Sequence, residues 1–247
     1  MSTSRSKLDS DRRRQSILAA VSPLVAASGL DKVTTKALAA AAGVSEALIY
    51  KHFPSKEELN LAIEENCILH AAADAQQFAG LPDSTETLVM MVWLLMNNIC
   101  EGSPREQEML GHDRPLTRLL MRSLLDDGVF ARNFLEGAAA GWLGKVRSCA
   151  EAAERDGDLV ESSTHAALGV WFAHHISVAL VMFALPSVGT IAYDVLEHGE
   201  ERSLDRKEVT EYATRFALRG LGLTESAFER WYRPQSFKFL VDAGRED

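Results

Sequence analysis

At 247 residues the chain is long enough for one large domain or a small one joined to a medium one, and a hydrophobic content of 47% supports a sizeable core without disulfides or metal. Cys67, Cys100 and Cys149 are far apart and show no C-x-x-C spacing, which argues against a disulfide framework or structural zinc and fits small buried hydrophobes in a reducing cytosol. The formal net charge of −9 argues against nucleic acid until its distribution is read: residues 1–56 hold nine Lys/Arg and four Asp/Glu, net +5, leaving 17 against 31, net −14, in the remainder.

Residues 1–10 read as a disordered tail with no apolar run, and so no secretory signal. A first helix is expected over 11–28, with Ile17, Val21, Leu24 and Val25 inward and Gly29 ending it; Pro23 inside it predicts a kink or a shortening. A second helix starts at Thr34 or Thr35 and ends at Ala42, where Gly43 supplies a left-handed turn. Ser45 is the N-cap of a third, closing near His52 or Phe53 before Pro54. Ser55-Lys56-Glu57-Glu58 is a capping box for a fourth that runs to about Phe78, with Leu59, Ile63, Cys67 and His70 on one stripe.

Further helices are expected over 85–100, 114–125, 131–155, 163–185 and 206–221, with no alternating β-branched run and no hairpin signal between such runs. The longest apolar stretch, 166–185, is interrupted by His174, His175 and Ser177, and reads as a buried helix in place of a membrane span. The expected class is all-α: a tail over 1–10, a three-helix helix-turn-helix head over 11–57, and a helical effector-binding and dimerisation domain over 58–247.

The case for the head is steric. Two helices that cross steeply within a few residues need small side chains where they meet, and Ala39 to Ala42 with Gly43 supply them. Leu38, Val44 and Ile49 then point into a small core, which turns Glu46, Ala47, Tyr50 and Lys51 outward to enter a major groove. Glu46, Ala47 and Lys51 are candidates for reading base edges, since a carboxylate accepts from cytosine N4 and Ala47 or Leu48 packs on a thymine methyl. Thr34, Thr35, Lys36, Ser45, Tyr50, His52 and Lys56 complete the DNA-binding set, with Thr35, Tyr50, His52 and Lys56 positioning the phosphate backbone.

The string TTKALAAAAGVSEALIYKHFPSKEEL resembles the DNA-binding head of TetR-family regulators over about residues 11–62, although Glu46-Ala47 stands where many members have a basic residue followed by Gly or Pro. The resemblance implies phosphate contact at Thr35, Ser45, Tyr50, His52 and Lys56, with base reading at Glu46, Ala47 and their neighbours. It also implies a homodimer on a near-palindromic double-stranded operator, joined through the last two long helices, and a small-molecule effector of unknown identity that releases a repressor. Ala166, Ala167, Gly169 and Ala173 would allow close approach across that dimer, with Glu208, Arg215 and Arg219 at its rim.

Pocket candidates are Trp93, Met96, Asn97, Phe134, Trp142, Trp171 and His175, large apolar or aromatic groups with a few polar handles that suit a mostly apolar ligand. Catalysis has little support: His174-His175 diverge by about 100° on a helix, His70 and Asp74 are one pair alone, and no G-x-S-x-G, P-loop or H-E-x-x-H occurs. Neither a cofactor nor a membrane partner is expected, and the location is cytoplasmic. The alternative is a helical enzyme or small-molecule-binding protein with an incidental helix-turn-helix, which would show no salt-dependent duplex binding.

Overall fold

The computed structural model describes residues 2–29, 32–76, 78–101, 115–160, 163–184, 194–197, 200–203 and 206–237. Its helices are α1 (Ser2–Ser28), α2 (Thr35–Ala42), α3 (Glu46–His52), α4 (Lys56–Gln76), α5 (Thr85–Glu101), α6 (Pro115–Leu125), α7 (Val129–Arg155), α8 (Ser163–Ala184), α9 (Arg206–Gly220) and α10 (Glu225–Trp231). The all-α class holds, with one departure: strands β1 (Asp194–Glu197) and β2 (Glu200–Ser203) pair antiparallel, from Asp194 opposite Ser203 to Glu197 opposite Glu200. Nothing in DVLE or EERS shows the alternation that marks a half-buried strand, so this ladder was not anticipated. Pro104, Arg114, Leu185, Pro186 and Gly199 lie outside the described residues, as do the side chains of His70, Asp74 and Ala167.

The chain divides into two units, Met1–Ala73 with Pro104–Ala139, and Asp74–Ser103 with Ala140–Asp247. This differs from a boundary at 57/58, and the reason is packing. The first unit buries Ile17, Leu18, Val21 and Val25 of α1, Leu38 of α2, Ile49 and Phe53 at α3, and Leu59, Ile63 and Cys67 of α4 together with Leu119 of α6 and Phe130 of α7. A three-helix head is too small to close its own core, and α4, α6 and the first turns of α7 complete it.

Local chemistry sets the helix ends. Gly29 (φ 81°) stops α1, its N–H donating to the Val25 carbonyl at 2.7 Å. The helix passes through Pro23 without ending, and it begins at Ser2, within the stretch expected to be a tail. Beside the proline, the buried Ser22 hydroxyl donates to the Leu18 carbonyl at 2.7 Å.

In the second unit, α5 is buried nearly all round, from Leu88 to Leu94 and at Met96, and packs against α8, α9 and α10. Its N-terminus is tied by the buried Asp158, which follows α7. Thr85 Oγ1 donates to Asp158 Oδ2 at 2.7 Å, Trp231 Nε1 of α10 donates to the same oxygen at 3.1 Å, and Arg230 Nη1 lies 3.7 Å from Oδ1. A buried carboxylate is tolerable only with such partners. The helix α10 was not assigned from sequence; its signal is Thr224, an N-cap whose hydroxyl accepts from the Ala227 N–H at 3.2 Å.

The small residues of α8 correct an expectation. Ala166 and Ala173 are buried within the second unit's own core, and a Cβ at Gly169 would lie 2.6 Å from Leu221 Cδ2. They bring α8 against its neighbours inside the chain, so they are not free to line a contact with a second copy. Arg215 pairs with Glu211 of its own helix at 2.8 Å and lies over the Phe228 and Tyr232 rings, and Arg219 pairs with Glu225 of α10 at 2.6 Å and lies over Phe228. The Tyr232 hydroxyl donates to Glu211 Oε2 at 2.7 Å, and burial followed by that bond pushes its ionisation far up.

Candidate nucleic-acid interface

Two caps and a glycine shape the α2–α3 turn. Thr34 is the N-cap of α2, its hydroxyl accepting from the Ala37 N–H at 3.1 Å. At the other end Gly43 takes φ 62°, and the bonds Gly43 N–H to Ala40 O (3.2 Å) and Val44 N–H to Ala39 O (3.0 Å) close a Schellman motif. Ser45 then caps α3, accepting from the Leu48 N–H at 3.2 Å, and the Phe53 N–H closes the helix on Ile49 O at 2.8 Å. Only Ile49 of α3 is buried, so the core holds the short helix by one side chain and its C-cap Phe53.

That rotation leaves a polar face outward. Thr34, Lys36, Ser45, Glu46, Ala47, Tyr50 and Lys51 are exposed, and Thr35, Leu48, His52 and Lys56 are half-buried at its edge. Tyr50 is 48% exposed despite its aromatic ring, and its hydroxyl lies 3.0 Å from Thr35 Oγ1, joining the first turn of α2 to the last turn of α3. In that pair one hydroxyl donates to the other, and the O–H of the accepting hydroxyl is left to point at a phosphate oxygen. The cap hydroxyls of Thr34 and Ser45 use their oxygens as acceptors, which leaves their O–H groups to donate.

Lys56 Nζ donates to the Val33 carbonyl at 2.6 Å, which ties the start of α4 to the residue before the α2 cap. Arg14 of α1, which sequence reasoning left without a role, places its guanidinium 4.9 Å from the centre of the Phe53 ring. The signal was present as an arginine one turn before the inward stripe Ile17, Leu18, Val21, Val25.

The pocket candidates are divided between the two units. Phe134 belongs to the first unit, against Phe130 at 6.0 Å. The others are in the second unit: Trp93 and Met96 are buried in its core, Trp93 lying 5.6 Å from Phe237, and Trp142 lies 5.0 Å from Phe78. Asn97 donates to the Trp93 carbonyl at 2.9 Å. Trp171 is half-buried beside His174 (5.8 Å) and His175 (6.1 Å), and His175 is exposed.

The inward imidazole is His174, missed from sequence. Its Nδ1 is buried with no hydrogen-bond partner among the described residues, and burial, with a smaller contribution from His175, lowers its pKa to about 4. It is a polar atom left unpartnered beside the Trp171 and His175 rings.

Residues 17–63 match the family model for bacterial regulatory proteins of the tetR family. The chain is 48% identical over 95 residues to the nucleoid occlusion factor SlmA of Pectobacterium carotovorum subsp. carotovorum (strain PC1), a match covering 37% of this chain and 47% of that protein, so the chain spans about half the length of the curated relatives it matches. Among solved structures it is similar to a TetR-family transcriptional regulator from Cytophaga hutchinsonii (TM-score 0.60, 15% identity, 88% of this chain and 97% of that one). It is also similar to AibR in complex with isovaleryl coenzyme A and operator DNA (TM-score 0.56, 14% identity, 83% and 97%). The family match is thus carried by residues 17–63, and most of the chain shares the fold of these solved structures.

Proposed function

We propose that this chain is a cytoplasmic, homodimeric regulator that binds a near-palindromic operator through α3, represses transcription there, and is released by a mostly apolar small molecule. The observation that carries the reading is the outward set Ser45, Glu46, Ala47, Tyr50 and Lys51 at and along α3, with Thr35 of α2 at its edge, on a helix held from behind by Ile49 and Phe53. Catalysis is no part of it.

The dimer is supported by apolar surface on α8 and α9. Leu168 and Phe172, one turn apart on α8, are 51% and 57% exposed; Tyr212 and Phe216, one turn apart on α9, are 65% and 67% exposed, and the two helices pack together. Four large exposed hydrophobics on two packed helices are apolar surface that a second copy would bury on a twofold axis. Effector control is supported by the AibR complex, where isovaleryl coenzyme A and operator DNA are bound to a protein of this fold. In this chain the polar contact would be the unpartnered Nδ1 of His174. Among the described residues no helix is long and apolar enough to cross a membrane, which fits the location.

Selection from random duplexes with purified protein tests the reading. A symmetric consensus is expected, and Glu46→Ala should change its base preference and leave its spacing unchanged. An unchanged preference removes Glu46 from base reading, and no enrichment at low salt removes the function. A second reading comes from the name of the curated relatives, nucleoid occlusion factor. Deletion separates the two. A repressor's loss raises transcripts beside its sites, whereas a nucleoid occlusion factor's loss shows in the position of division relative to the nucleoid.

A further inference from the structure

The helix α1 starts at Ser2, and from Asp9 to Ser16 every residue is exposed except the half-buried Arg14. At 1.5 Å per residue, those eight residues make about 12 Å of helix ahead of the buried Ile17. Its sequence, STSRSKLDSDRRRQS, holds Arg5, Lys7, Arg12, Arg13 and Arg14 against Asp9 and Asp11, net +3 in a chain of net −9. A single leucine is its only large apolar residue, so it has no hydrophobic face for a lipid surface or a partner helix.

Arg14 fixes where this charge sits. Its guanidinium lies over the ring of Phe53, the C-cap of α3, so the basic stretch is anchored at the exit of the helix that faces the groove. Arg12 and Arg13 are exposed, and neither has a hydrogen bond or ion pair with another described residue.

We propose that Arg12 and Arg13 form a second basic contact on the sugar–phosphate backbone of the same duplex, outside the groove read by α3. Resting on the DNA-binding reading, this contact adds affinity and salt dependence without adding base preference. The occupant follows from continuity with the α3 face, opposite charge, and the absence of an apolar side.

The test uses the full chain and a random-sequence duplex, followed by fluorescence anisotropy between 50 and 200 mM salt. Wild type is compared with Arg12→Ala/Arg13→Ala, with Arg12→Lys/Arg13→Lys, and with Arg147→Ala/Arg155→Ala, which removes two exposed charges from α7. The arginine-to-alanine pair should lower the slope of log K against log salt by up to about 1.8, so that wild type loses about 12-fold more affinity than the variant across that range. The lysine pair should restore the slope, and the α7 pair should leave it unchanged.

Operator selection with the alanine pair should return the wild-type consensus. Equal slopes for wild type and the alanine pair overturn the proposal while leaving the DNA reading intact, as does an equal loss from the α7 pair. Wild type that binds no duplex at 50 mM salt overturns both. Retention by anionic phosphatidylglycerol vesicles, lost in the alanine pair while duplex binding is unchanged, assigns the stretch to a membrane and also overturns the proposal.

Discussion

Replacing Gly29 with alanine probes how the first unit is joined. Gly29 ends α1 at φ 81°, a conformation that costs an L-residue about 1–2 kcal/mol. The added Cβ would also lie 2.3 Å from Arg122 Nη1 and 3.3 Å from its Cζ. No real contact is that short, so the tip of Arg122 must move, and its Nη2 then leaves the Ala27 carbonyl, to which it donates at 3.1 Å. That bond is exposed, and its loss adds about 0.5–1 kcal/mol. The total is about 1.5–3 kcal/mol, read as a lower urea midpoint by far-ultraviolet circular dichroism. Arg122→Ala completes a double-mutant cycle: in that background Gly29→Ala should cost only the backbone part, about 1–2 kcal/mol, leaving a coupling of about 0.5–1 kcal/mol. A neutral Gly29→Ala would refute the left-handed geometry, and strict additivity would refute the contact between α6 and the end of α1.

Protonation of His174 should be linked to unfolding. Its folded pKa, lowered from 6.5 to about 4, means the unfolded chain binds the proton first; the stabilisation is fully present above pH 6.5 and is lost as pH falls toward 4, about 3 kcal/mol in all. His174→Phe should flatten the stability profile across that window relative to wild type, and parallel profiles would show the imidazole is not buried. Asp158→Ala strands the Thr85 hydroxyl and the Trp231 indole N–H, and should cost about 2–4 kcal/mol in thermal or urea unfolding; a change under 1 kcal/mol would remove Asp158 as the tie between α5 and α10. Phe172→Asp with Phe216→Asp puts charge into the exposed apolar patch and should convert a dimer to monomers in analytical ultracentrifugation, with secondary structure unchanged; dimers that persist would place the interface elsewhere.

Ser45→Ala removes the α3 cap, and should cost about 1 kcal/mol of stability. It should also weaken duplex binding while wild-type base preference persists, as measured by selection.

The head was legible because its determinants are local. The Thr34 and Ser45 hydroxyls cap residues three further on, Gly43 supplies the left-handed turn wherever the chain is placed, and four consecutive alanines leave room for the crossing. A 3.6-residue period then puts Ile49 inside and Glu46, Ala47, Tyr50 and Lys51 outside. What lay beyond the sequence depends on groups far apart along it. Asp158 meets Thr85 and Trp231, each 73 residues away, and Lys56 turns back to Val33. Whether His174 or His175 faces inward is decided by how α8 is rotated against α5 and α9, since adjacent residues differ by about 100° and both read alike in an apolar run. Local sequence determines helix ends and faces through hydrogen bonds a few residues long; which face becomes core, and which polar atom is left unpartnered there, is settled only when distant helices pack.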